Sequence, residues 1–138
     1  MVEAVGWDMY DPRLTLKANV KQYFDDGTTV YAIAIGDCCY IDGNGLIQLS
    51  DADKSTVHGC ALMAAVGGDE LTLVTHGRLR MVTAQTPGDD IKSDNTEADG
   101  GGEPPSTTNA TGSVCGYAIS AYLVWVHVTY TSTVHVAA

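Results

Sequence analysis

The chain is poor in rigid bulk and in positive charge. It has one Phe and two Trp among 138 residues, and only seven basic side chains. With so few cations, no lysine- or arginine-rich tract occurs, and a single Phe against 15 glycines suggests many turns and rather thin strands. Against 17 acids the seven bases give a formal net charge of −10. That average field repels a phosphate backbone and no local basic cluster offsets it, so nucleic-acid binding is not expected. No HExxH, GxSxG or P-loop pattern occurs, and no CxxC or HxxxH spacing gathers metal ligands. His58, His76, His127 and His135 fall on separate predicted segments. Cys60 with His58 or His76 is the one conceivable nucleophile and base, and core or surface roles are expected for them instead, so no catalytic residue, metal or cofactor is assigned. The N-terminal stretch MVEAVGWDMYDP carries acids and no apolar core segment, so no signal peptide is expected. Cys38, Cys39, Cys60 and Cys115 are accordingly expected as reduced, buried thiols, and the Asn109-Ala110-Thr111 sequon as unmodified.

What is present points to β structure. Hydrophobic residues make up 45% of the chain and charged ones 17%, which argues against general disorder, and 15 glycines imply many turns. A chain of this length suits one domain that buries roughly two thirds of its unfolded surface. The clearest local signal is GDCCYIDGNGLIQL, residues 36–49, where two apolar runs flank Asp42-Gly43-Asn44-Gly45. Asp-Gly and Asn-Gly favour the positive φ angles of tight hairpins. The order of carboxylate, amide, glycine and apolar anchor also resembles the middle of a calcium loop, but Tyr40 stands where an acid should open it and Asp51 where a bidentate Glu belongs. A plain turn is expected.

The surrounding pieces occur twice. Val57-His58-Gly59-Cys60-Ala61-Leu62-Met63-Ala64 and Val114-Cys115-Gly116-Tyr117-Ala118-Ile119-Ser120-Ala121 share the frame V-x-G-x-A-[LI]-x-A. Each follows a Gly-Asp start, Gly36-Asp37 or Gly88-Asp89, and leads into a strand-like run, and such self-similarity constrains the whole architecture. Two related strand-turn units, about 28–87 and 88–138, are therefore expected within a single β domain of residues 13–138.

Other segments are read by their period. Residues 1–12 mix Trp7, Met9 and Tyr10 with acids and form an arm, which either docks on another chain or packs on its own domain. From Arg13 to Lys21, Leu14, Leu16, Ala18 and Val20 alternate with Arg13, Thr15, Lys17, Asn19 and Lys21, so one side of this strand is basic. That side either meets an acidic partner or is a solvated face with lysines guarding an edge. The run from Thr28 to Ile35 suits a strand buried on both faces. Residues 50–56 fit one helical turn or a loop. From Glu70 to Val82, Leu71, Leu73, Leu79 and Met81 alternate with Thr72, Val74, His76, Arg78 and Arg80, with a bend or close approach at Gly77. Residues 92–113, acidic and glycine-rich with Pro104-Pro105, are read as an exposed excursion. It falls where the second unit is longer, since Gly36 to Val57 spans 21 positions and Gly88 to Val114 spans 26. The last 25 residues contain no Asp, Glu, Lys or Arg. Their period of two, with Val124, Val126 and Val128 alternating with Leu123, Trp125 and His127, describes a sheet strand rather than a membrane span.

Taken together, Gly36-Asp37 with its hairpin, Val57-x-Gly59-x-Ala61, the run Gly68-Asp69-Glu70-Leu71-Thr72-Leu73-Val74-Thr75-His76-Gly77-Arg78, Thr86-Pro87-Gly88 and Val114-x-Gly116-x-Ala118 resemble small tailed-bacteriophage capsid decoration, or cement, proteins over about residues 28–128. The resemblance implies a compact β-barrel or sandwich, often a homotrimer, bound to the capsid exterior where major capsid proteins meet, after synthesis in the host cytoplasm. It carries over no catalytic residue. The arm and the acidic glycine-rich loop depart from the short members of that family. On this reading Trp7 and Tyr10 of the arm, and the face Arg13, Lys17 and Lys21, are the expected capsid contacts. The alternative is a fibre-head or adhesin-type module that stacks glycans on exposed Trp and Tyr.

Overall fold

The computed structural model describes residues 3–7, 15–50, 56–93, 103–109 and 112–128. The described chain is all-β. Its strands are β1 (Ala4–Trp7), β2 (Thr15–Val20), β3 (Ala32–Ile33), β4 (Cys38–Ile41), β5 (Leu46–Leu49), β6 (Gly59–Ala61), β7 (Ala65–Val66), β8 (Glu70–Val74), β9 (His76–Met81), β10 (Asp90–Lys92), β11 (Val114–Ser120) and β12 (Leu123–His127). Five of them close a small barrel in the order β2-β5-β4-β6-β8, and five form an open sheet in the order β1-β9-β12-β11-β10; β3 and β7 pair separately.

Alternation explains how one chain fills two cores. The barrel interior takes Val20, Ile33, Cys39, Ile47, Leu49, Leu71 and Leu73, with Tyr31. The second core, which joins Cys38 and Cys60 of the barrel wall to the inner face of the sheet, takes Leu79, Met81, Ile91, Cys115, Ala118, Val124 and Val126. Adjacent Cys38 and Cys39 thus serve opposite cores, as side chains alternating across a strand must. All four cysteines are free and buried.

The two strand-turn units share a set of corresponding hydrogen bonds. Gly36 N–H donates to Ala61 O at 2.8 Å and Gly88 N–H to Ala118 O at 2.8 Å; Ala61 N–H donates to Asp37 O and Ala118 N–H to Asp89 O, each at 2.9 Å. Gly36 and Gly88 hold φ of 83° and 84°, a left-handed conformation that favours glycine. Cys39 faces Gly59 as Ile91 faces Gly116, and Ala61 faces Leu73 as Ala118 faces Val124. The outer neighbours extend the match, since Leu73 pairs with Leu16 of β2 and Val124 with Leu79 of β9. The equivalence therefore starts earlier than residues 28 and 88, at β2 and β9.

Several expectations are resolved or corrected. Of the two alternatives for the N-terminal segment, Ala4–Trp7 takes the second and packs on its own domain, pairing antiparallel with β9 as an edge of the sheet. Residues 28–30 do not continue a buried strand, because the Asp26 carboxylate accepts the N–H groups of Thr28 and Thr29, each at 2.8 Å, and the Thr29 hydroxyl. Those bonds wind the chain into a turn. The long run 70–82 breaks at Thr75, where the chain passes from barrel to sheet; Gly77 instead makes room for the Trp7 ring, whose carbons would lie 3.2 Å from a Cβ placed there. The expected hairpin forms between β4 and β5; within it Gly45 N–H bonds Asp42 O at 3.0 Å and only Gly45 takes positive φ, +80°. That is a type I turn closed by a glycine bulge. The strand at 15–20 is not an edge, because β5 and β8 flank it.

The excursion is corrected in part. Pro104, Pro105 and Ser106 are buried, and Ser106 exchanges both backbone hydrogen bonds with Lys92 at 3.0 and 3.1 Å. Proline has no N–H to satisfy, so it enters a core cheaply. Gln85 satisfies the rest, its Oε1 accepting from the Ser106 hydroxyl at 3.0 Å and the Thr107 N–H at 2.9 Å. The readings of residues 51–55, 94–102, 110–111 and 129–138 lie outside the described residues.

Candidate partner-binding face

Of the described residues expected to touch a partner, Trp7 lies on β1 of the open sheet, whereas Lys17 lies on, and Lys21 just after, β2 of the barrel. Trp7 packs against the second core and its Nε1–H donates to Ala61 O at 2.9 Å, so its ring serves its own domain. Tyr10 and Arg13 lie outside the described residues. Lys17 meets Glu70 across the β2-β8 pair at 3.5 Å, and Lys21 meets Asp25 at 3.0 Å. Both pairs are largely solvent-exposed, where such contacts contribute little to stability.

A different surface gathers the features of a contact site. With Leu79, Met81, Ile91, Val124 and Val126 all turned inward, period two turns the intervening residues of β9, β10, β11 and β12 outward. Register sets Asp90 opposite Tyr117, Tyr117 opposite Trp125 and Trp125 opposite Arg78 in one row across the sheet. The next row sets Leu123 opposite Arg80. Ile119, two residues beyond Tyr117 with buried Ala118 between them, stands on the same outer side. Tyr117 is 48% exposed, Ile119 43% and Tyr122, in the β11-β12 turn, 55%. Aromatic, aliphatic and guanidinium groups side by side are the composition of protein-contact hot spots.

The reactive groups elsewhere are arranged for structure. Cys38 Sγ lies 3.9 Å from Cys60 Sγ. Hydrogen bonds with Cys115 and Cys60, then burial, push the Cys38 thiol well up, and burial does the same to Cys39. For Cys60 the Cys38 bond works the other way, but burial and the nearby Cys115 and Asp37 raise it overall. A nucleophilic cysteine needs the opposite shift. His58 Nδ1 accepts the Ile41 N–H at 2.8 Å, which ties its ring to the barrel wall. At the hairpin, Asp42 Oδ1 accepts the N–H groups of Asn44 at 2.8 Å and Leu46 at 3.1 Å, while Oδ2 accepts from Gln48. Burial opposes ionisation there, but the bonds from Leu46, Gln48 and Asn44 outweigh it and hold the carboxyl below its ordinary range. Both oxygens brace the turn. Among the described residues no group of three or more His, Cys, Asp or Glu is placed to hold a metal.

Alternation had already separated Arg78 and Arg80 from Leu79 and Met81, and Trp125 from Val124 and Val126. What it lacked was the pairing of β9 with β12, which puts those outward sets on one surface. Compared with protein-family models, curated proteins and solved structures, the chain matches none.

Proposed function

We propose that the chain is a non-enzymatic capsid decoration, or cement, protein. It binds the outer surface of an assembled phage head and stabilises the shell, with the major capsid protein as its partner and a homotrimer as the binding form. The sequence resemblance over about residues 28–128 supplies the family. The observation that carries the reading in the structure is the outer face of the open sheet, where exposed Tyr117 and Ile119 share rows with Trp125, Arg78 and Arg80. Contact passes from the arm to this face, because Trp7 is committed to its own core. A protein that binds only the assembled shell stabilises it by linkage, and repeated symmetric contacts compound modest affinities.

Co-sedimentation with empty, expanded capsids tests the assignment. The substitutions Tyr117→Asp and Arg80→Glu together should abolish capsid occupancy while the free protein melts as before. Full occupancy by that variant would remove the face from the reading. The adjacency of Tyr117 and Trp125 also favours a second reading, a glycan-binding module that stacks sugar rings on the pair. A glycan-array signal without capsid binding would establish that reading instead.

A further inference from the structure

The outer face of the sheet ends, beyond Arg78 and Trp125, in two histidines that the proposed contact face does not use. His76 and His127 are direct partners in the β9-β12 register. Their ring centroids lie 4.2 Å apart with 47° between the ring planes. Just beyond them the Val128 N–H donates to Thr75 O at 2.9 Å. A ladder hydrogen bond at that position makes His76 and His127 a non-hydrogen-bonded pair, the kind whose side chains stand closest across antiparallel strands. His127 is exposed and His76 half-buried, so both rings can be reached from solvent. His76 Nδ1 lies 3.1 Å from Thr75 Oγ1. A bond on Nδ1 fixes the ring and leaves Nε2 to ligate.

The geometry points to a bidentate site for a borderline divalent transition cation, such as Zn²⁺ or Ni²⁺, held by Nε2 of His76 and a ring nitrogen of His127. Imidazole suits these ions, and metal–nitrogen bonds of about 2.0 to 2.1 Å require two ring nitrogens roughly 3.3 Å apart. With their ring centroids 4.2 Å apart, the two imidazoles can be bridged by one ion once the exposed His127 turns a nitrogen edge towards it. Water completes the coordination shell. Arg78, next along the outer face of β9, opposes the cation, and the net charge of −10 attracts it.

Calorimetric titration of the full chain with Ni²⁺ and with Zn²⁺, thiols reduced, together with NMR of the imidazole side chains, tests the site. One ion should bind per chain, with the His76 and His127 resonances shifting together. His127→Gln, an exposed substitution that should leave the melting temperature of the metal-free protein unchanged, should weaken binding about 100-fold, because one ring loses the effective concentration supplied by the other. Thr75→Val should weaken it about tenfold through loss of ring orientation. Absence of binding, equal affinity in the His127→Gln variant, or shifts confined to other histidines or to the cysteines would each overturn the site.

Discussion

Replacing Asp37 by asparagine gives the sharpest quantitative test of how the first unit is packed. Asp37 is only 9% exposed and its Oδ2 accepts the Ala34 N–H at 2.8 Å. Burial raises its carboxyl from 3.8 to about 7, the Ala34 bond works against that rise, and the nearby Glu103 carboxylate adds to it. The sign follows from proton counting. Between about pH 4 and about pH 7 the folded chain holds a proton on Asp37 that the unfolded chain has released, so stability is lost as pH rises across that window. At 1.4 kcal/mol for each tenfold difference in proton affinity, the gap between 3.8 and about 7 corresponds to about 4 kcal/mol. Asp37→Asn keeps an acceptor for the Ala34 N–H and has no charge to bury. Its stability relative to the unsubstituted chain should therefore grow by about 4 kcal/mol between about pH 4 and about pH 8. Urea denaturation followed by the fluorescence of Trp7 and Trp125 measures this directly. A stability difference that does not change with pH would refute the argument that burial governs this carboxyl.

Trp7→Ala should cost about 3 to 5 kcal/mol in chemical denaturation, because it empties a site in the second core and strips Ala61 O of the indole donor. Gly116→Ala should leave little folded protein on expression, since a Cβ there would meet Trp125 O at 1.9 Å in a backbone with φ of +137°. Gln85→Ala removes the acceptor shared by the Ser106 hydroxyl and the Thr107 N–H. Leaving those buried donors without it should cost about 2 kcal/mol and speed proteolysis within residues 103–109.

The fold was legible wherever one face of a strand was wet. In β2 and β9 polar and apolar residues alternate, and the sequence assigns their inward sides correctly: Leu16, Ala18 and Val20 in one, Leu79 and Met81 in the other. The repeat was visible because Gly36, Gly59, Gly88 and Gly116 hold positions that a side chain would block or strain. Illegible features depended on distant partners. Pro104 and Pro105 look like loop residues until Gln85 and Lys92, remote in sequence, satisfy the polar groups around them. The sequence leaves Trp7 open between another chain and its own domain, because nothing local announces that Gly77 has left room for its ring. The candidate face was missed for a related reason: each strand shows its outward residues, but register between strands is a tertiary fact.

The difference between the two equivalent units explains why the proposed contact face belongs to the second. In the first, β5 pairs with β4 on one side and β2 on the other, so the sheet closes and its outer residues diverge around a curved wall. In the second, the place of β5 is taken by residues 103–109, whose backbone, among the described residues, bridges β10 at Lys92 and Ser106 and forms no strand pairing with β9. β9 accepts β1 on its free side instead. The second sheet therefore stays open, with its inner face spent on the core shared with Cys38 and Cys60 and its outer residues in broad transverse rows. Closure removes edges and tightens curvature, whereas an open sheet offers an area that a flat partner can cover. A segment that closed the second unit as β5 closes the first would curve those rows apart, so the short bridge at Ser106 is as much a condition for the contact face as Tyr117 and Trp125 are.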